Sequence, residues 1–262
     1  MTEKLLLEKD GPIGWIVFNQ PEKHNAVSHA MWQRMPEYVD DLAADDSIRV
    51  VVLRGAGERA FVAGADISEF KDRRRNMADE EEYGRIAARG TEALATLGKP
   101  LLAMIHGYCV GGGVSIALTC DIRIAADDAR FGIPAARLGL GYDHAGIRKL
   151  MNLIGPAYTK EIFFTARTDF SPPEALRMGL VNQVVPKADL ERFTRHYAVT
   201  IAGNAPLTVR SVKCTVSQLL RPEGERDLAS LDKLMVECFN SQDYQEGVRA
   251  FSEKRRPQFQ GR

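Results

Sequence analysis

Three consecutive glycines, Gly111-Gly112-Gly113, follow the apolar run Leu101–Ile105 and precede a second short apolar segment, residues 114–118. The run reads as a buried strand and the segment as the start of a helix, so the chain must turn at the glycines. With no Cβ at three successive positions the backbone can pass close to a ligand and direct N–H groups at it. The positive dipole end of a following helix points the same way. A tight strand-to-helix connection with close packing accounts for the same triplet without any ligand. A second stretch favours the ligand: Phe61-Val62-Ala63-Gly64-Ala65-Asp66-Ile67 again sets small residues after a strand, the one expected over residues 48–54. Two free N–H donors from separate loops facing one point make an oxyanion hole, which stabilises negative charge developing on a carbonyl oxygen.

Five motifs stand in a familiar order and spacing. They are Ala63-Gly64-Ala65-Asp66-Ile67, then Gly107-Tyr108 with Gly111-Gly112-Gly113, Cys120-Asp121-Ile122-Arg123-Ile124-Ala125, Phe131-Gly132-Ile133-Pro134, and Met178-Gly179-Leu180-Val181. In these the chain resembles the crotonase family, the enoyl-CoA hydratase/isomerase superfamily, over essentially its whole length. The resemblance implies an α/β fold: a spiral core of repeated ββα units over residues 1–186 and a helical region over 187–262 that makes trimer contacts, with trimers that often pair into hexamers. It implies an acyl-CoA thioester as the substrate, its carbonyl held by the N–H groups of Ala65 and Gly112. Coenzyme A enters as part of that substrate, and no separate cofactor or metal is expected. The resemblance also places Lys23 and Ala26 along the CoA, with Ala63, Asp66 and Ile67 beside them. The last helix, with Phe251, Lys254, Arg255 and Phe259, is expected to reach the CoA of a neighbouring subunit; a solvated basic C-terminus is the plainer reading of that end.

Composition narrows the partners. Lys plus Arg and Asp plus Glu both number 35, so the chain lacks the basic excess of a nucleic-acid binder. The basic run Lys71-Asp72-Arg73-Arg74-Arg75 reads as a solvated loop or as a contact for CoA phosphates. Four cysteines show no CxxC pair and no metal-finger spacing and are read as reduced thiols. No run of eighteen apolar residues and no leader pattern is present, so a soluble cytoplasmic protein without membrane partners is expected.

In chain order, residues 5–8 and Ile13–Phe18 read as a β-hairpin around Asp10-Gly11-Pro12. Ser28 can cap a helix that Pro36 should kink or shift. Residues 48–54 read as a strand covered on both faces. A helix is expected from near Ala78 to residue 98, with Ile86, Ala87, Leu94 and Leu97 as its apolar stripe. A strand follows over 121–126, a turn over 131–134, and a helical pattern broken at Gly155-Pro156. Ser171-Pro172-Pro173-Glu174 is a capping box with proline in the first turn, and that helix stops at Gly179. A strand over 180–185 completes the core, and four helices make up the rest.

The chemistry departs from the family's hydratases. In the resemblance two glutamates pair as acid and base around a water, and here those positions are Ser115 and Ala135. By spacing, Asp143 falls where dienoyl-CoA isomerases and 4-chlorobenzoyl-CoA dehalogenases carry a working aspartate. Asp143 also precedes an apolar-periodic helix, where aspartate is a favoured cap. In an apolar pocket, desolvation would raise its pKa and make it a proton acceptor near neutral pH. Ser115 is a second catalytic candidate, as a hydroxyl toward substrate or water, and Tyr142 and Arg137 are pocket groups. His144 adjoins Asp143, but successive helical side chains diverge by roughly 100°. Three functions stay open: an acyl-CoA enzyme working through an enolate, a CoA-thioester binding protein with weak catalysis, and a CoA-independent carbon–carbon bond hydrolase.

Overall fold

Each uniformly apolar run becomes a strand buried on both faces, and those strands set the architecture. The computed structural model describes residues 3–69 and 77–262. Its strands are β1 (Leu5–Asp10), β2 (Ile13–Phe18), β3 (Val50–Gly55), β4 (Ala60–Val62), β5 (Leu101–Ile105), β6 (Tyr108–Val110), β7 (Ile122–Ala126), β8 (Arg130–Gly132) and β9 (Gln183–Val185). A six-stranded sheet has the order β1-β2-β3-β5-β7-β9, antiparallel at β1–β2 and parallel elsewhere. A separate three-stranded parallel sheet has the order β4-β6-β8. The chain visits the large sheet, then the small one, then a helix, and repeats: β3, β4 and Met77–Thr96; β5, β6 and Gly112–Ala117; β7, β8 and His144–Thr165. This is a ββα spiral.

Alternation along the strands feeds two apolar layers. Val51 and Leu53 of β3 join Ile16, Phe18, Phe61 and Phe131 in the layer between the two sheets. Val50 and Val52 face the other way, against Trp15, Leu102 and Ile124, where Leu190 and Ala198 of the Leu190–Ala202 helix close the layer. The first helix after residue 187 therefore packs on the large sheet, while Pro206–Leu219, Leu228–Phe239 and Gln242–Ser252 lie beyond it. Burial also silences two thiols: Cys109 and Cys120 are buried and free, and desolvation pushes Cys120 up to about 12.

Local signals act as expected in most places. The Ser28 hydroxyl accepts from the Met31 N–H at 3.4 Å to open the His29–Ala44 helix. Pro36 sits inside that helix without ending it, its ring buried in the core, so packing of the apolar face outweighs the missing donor. The Ser171 N–H and hydroxyl both donate to Glu174, and Gly179 ends that helix in the left-handed region. The helical segment over residues 144–165 bends at Gly155, which has non-helical φ 77° and ψ 169°. Residues 71–75, the basic run, lie outside the described residues.

Candidate functional site

The two glycine-rich loops leave the same end of the small sheet. The first follows β4: the Val27 N–H donates to the Gly64 carbonyl at 2.8 Å, and the Asp66 N–H donates to the Val27 carbonyl at 3.0 Å. That bridge uses the groups on either side of Ala65 and turns its own N–H away from residue 27. The second loop follows β6: the Gly111 N–H is held by the Gly132 carbonyl at 2.8 Å, and Gly112 begins the short helix. A Cβ built on Gly112 would lie 3.6 Å from the Ala65 nitrogen, so the two amides are neighbours. Neither N–H has a protein acceptor among the described residues.

The Ala65 loop is fastened from below. Asp66 is only 4% exposed, and its carboxylate accepts from Lys23 Nζ at 2.8 Å, Gln20 Nε2 at 3.0 Å, and the Ser68 hydroxyl and N–H at 2.6 and 3.1 Å. Burial acts to raise its pKa, but these hydrogen bonds outweigh it and hold the carboxyl well below the usual carboxylate range. A depressed folded pKa means that the stabilisation is fully present above the unfolded value near 3.9 and is lost as pH falls through the folded one. Asp66→Asn is therefore expected to destabilise the protein by about 1–3 kcal/mol at neutral pH. In denaturant unfolding at a series of pH values, the gap to wild type should stay constant down to about pH 4–5 and close below it. A gap that does not change with pH would remove the ionised carboxylate from the loop's support.

Lys23, Ala26, Ala63 and Asp66 thus share one rim. Lys23 reaches both Asp66 and Ser68, the Ala26 N–H bonds to the Lys23 carbonyl at 3.1 Å, and the Ala63 N–H bonds to the His24 carbonyl at 3.1 Å. The side chain of Ile67 lies outside the described residues. Two residues that sequence reasoning missed hold this rim: Gln20, and Asn25, whose buried amide donates to the Ala56 and Ala60 carbonyls at 2.9 and 2.7 Å. A fully buried asparagine with φ 56° marks a backbone turn that its side chain secures, and the His24-Asn25 pair was the available signal.

The family model for enoyl-CoA hydratase/isomerase matches residues 8–262. Among curated relatives, the short-chain-enoyl-CoA hydratase of Clostridium acetobutylicum is 35% identical over 252 residues, 96% of this chain and 95% of the relative. The carnitinyl-CoA dehydratase of Proteus mirabilis is 35% identical over 266 residues, with both chains fully covered. Among solved structures, an enoyl-CoA hydratase/carnithine racemase from Magnetospirillum magneticum superposes with a TM-score of 0.94 at 33% identity, covering 100% of this chain and 97% of that one. The chain belongs to the enoyl-CoA hydratase/isomerase family. Its spiral of ββα units is the crotonase fold, and acyl-CoA processing is the family's business.

Within this family member, Tyr142 lies near Ser115 and is followed in the chain by Asp143. Ser115 is exposed, one turn after Gly112 on the short helix. Burial pushes the Tyr142 phenol above its ordinary value, a hydrogen bond with Ser115 opposes the shift, and the Asp143 carboxylate adds to it. The Tyr142 ring packs edge-on against Phe163 at 5.0 Å. Ala135, by contrast, is 5% exposed in the core. Asp143 itself is exposed and caps its helix, Oδ1 accepting from the Gly146 N–H at 2.7 Å. This position is exposed rather than enclosed by apolar side chains. Arg137 and His144 are exposed.

At the far end, Arg255 is not free to meet a phosphate of CoA. Its guanidinium is bound to Glu246 at 2.5 and 2.9 Å and to Glu253 at 2.5 Å. Lys254 is exposed, in the left-handed region at φ 55°. Phe251 is 88% exposed beside it.

Proposed function

We propose that the chain binds an acyl-CoA thioester and stabilises the enolate formed at its carbonyl with the backbone N–H groups of Ala65 and Gly112. The observation that carries this reading is the pair itself: two adjacent amides, from two loops, both without an internal acceptor among the described residues. Hydrogen-bond donors fixed in advance where charge develops need no reorganisation during reaction. Lys23, Ala26, Ala63, Asp66 and Ile67 line the CoA side, and Lys254 is offered to a neighbouring subunit's CoA.

Hydration of a simple enoyl-CoA is expected to be slow, because Ser115 and Ala135 supply neither carboxylate of the acid–base pair. Proton transfer falls to Ser115, Tyr142 and Asp143, and the outcomes open to them are isomerisation, hydration or carbon–carbon cleavage. Turnover on crotonyl-CoA and on a panel of ring and branched enoyl-CoA esters tests the reading; binding of all with turnover of none would leave a thioester-binding protein, a second reading that the exposed, capping Asp143 favours. Asp143→Asn keeps a good helix cap while removing the base. It is expected to lower kcat by about 10²–10⁴-fold with CoA affinity unchanged, and an unaltered kcat would reduce Asp143 to its capping role.

Assembly follows from the surface. Val212, Val216, Met235, Phe239, Val248 and Phe251 expose a broad apolar face on the last three helices. Such a face on a chain of this size is covered in solution, and we assign it to further copies of this chain, as a trimer or a dimer of trimers. Light scattering after size exclusion reads the copy number.

A further inference from the structure

We infer that Arg123 is a positioning residue for the Gly112 amide: its buried guanidinium ties the C-terminal end of the Gly112–Ala117 helix to residues 180–182, and so fixes the direction of the N–H at the other end. The inference rests on the reading of Ala65 and Gly112 as the carbonyl-holding pair.

Arg123 lies in β7 and is 4% exposed, a charge in the middle of a strand that is otherwise apolar. It shares its face with Ala125, toward the small sheet. Among the described residues it makes no ion pair with a carboxylate; its partners are dipoles. Nε donates to the Leu180 carbonyl at 2.8 Å. One terminal nitrogen donates to the Cys120 carbonyl at 2.7 Å and, at 3.5 Å, to that of Ala117. The other donates to Asn182 Oδ1 at 3.3 Å, and this oxygen also takes the Arg123 backbone N–H at 2.9 Å. A buried cation without a counter-ion is a poor way to stabilise a core, which an apolar side chain of similar volume would serve as well.

What the guanidinium accomplishes is geometric. The helix has six residues, too few to hold its own direction, and the turn that follows it presents the Cys120 carbonyl to the guanidinium. Its first turn is pinned by the Gly111 bond to Gly132 and by Gly113 pressed against the Val62 carbonyl. The freedom left is a tilt about that pinned end, and the planar fork of Arg123 removes it by gripping the turn after the helix and the 180–182 segment at once. A tilt swings the Gly112 N–H away from the point it shares with Ala65, and carbonyl stabilisation depends on donors within about 2.7–3.1 Å.

The test uses 4-dimethylaminocinnamoyl-CoA, a conjugated thioester whose absorption moves to longer wavelength as its carbonyl is polarised. Wild type is expected to bind it with a red shift. Arg123→Met should lose more than half of that shift, with Kd changed less than about threefold, since misaimed donors weaken polarisation more than binding. Arg123→Lys, which keeps the charge but not the fork, should fall between the two. A full shift in Arg123→Met overturns the inference while leaving the amide pair intact. If that variant does not fold, Arg123→Lys decides: an undiminished shift overturns the inference. No shift in wild type overturns the amide-pair reading and the Arg123 role together.

Discussion

Gly112→Pro is expected to lower kcat by about 10²–10³-fold, the usual loss when one oxyanion donor is removed, while leaving the fold in place. Gly112 is the first residue of its helix, the position where proline is best tolerated because the missing N–H has no intrahelical partner. Here it has no other protein partner among the described residues either, so no internal bond is lost. The preceding Gly111, at φ 55° and ψ −115°, is outside the α region that a following proline disfavours. Gly112→Ala tests the same point by a different route. Its methyl group meets no backbone closer than 3.6 Å, yet it sits at that distance from the Ala65 nitrogen, in the space a carbonyl oxygen would take. Steady-state kinetics on the best ester of the panel, with circular dichroism as the folding control, reads both variants. Full activity in Gly112→Pro would exclude this amide from the chemistry.

One residue further on, the expectation reverses. Gly113→Ala should destabilise the protein by about 3 kcal/mol, the upper end for an overpacked site, or roughly 6–12 °C in Tm for a chain of this size. A Cβ there would stand 2.0 Å from the Val62 carbonyl oxygen and 2.9 Å from its carbon. Both atoms belong to the backbone of β4, which is paired to β6, so relief requires moving a strand of the small sheet. Because β4 leads into the Ala65 loop, whatever folded protein remains should also bind thioester carbonyls less well. A Gly113→Ala protein with wild-type Tm would mean that the helix and β4 can separate freely, and the fixed amide pair would lose its foundation.

The contrast between 112 and 113 could not be drawn from the three glycines alone, which are identical as residues; only their neighbours tell them apart. The large sheet was far more legible. Ile13–Phe18 and Leu101–Ile105 are uniformly apolar because helices and the small sheet cover both faces, and that pattern reads directly as buried strand. The small sheet escaped because β4, β6 and β8 have three residues each, too short for any alternation to register. Residues 131–134 accordingly read as a turn, although Phe131 and Gly132 belong to β8. The strand expected over 180–185 shrinks to Gln183–Val185, because Leu180 and Asn182 give acceptors to Arg123. Ala65 and Gly112 stand out by motif, whereas Gln20, Asn25 and Arg123 act in part through partners 31 to 59 residues away and leave little local trace. A lone arginine within an apolar strand was the one hint of the last.

The folded-back tail sets a rule for how this end of the molecule tolerates change. Asp243 accepts from the Gln260 and Gly261 N–H groups at 2.6 and 2.8 Å, Glu246 accepts from the Gln258 N–H at 3.0 Å, and the Arg262 carbonyl receives the Asp243 N–H at 3.2 Å. All four contacts on the tail side are main chain. Apart from Gly261, whose φ of 84° favours glycine, the identity of residues 258–262 therefore matters less to their grip than their number: trimming them strips the buried Asp243 of these two N–H donors and Glu246 of one.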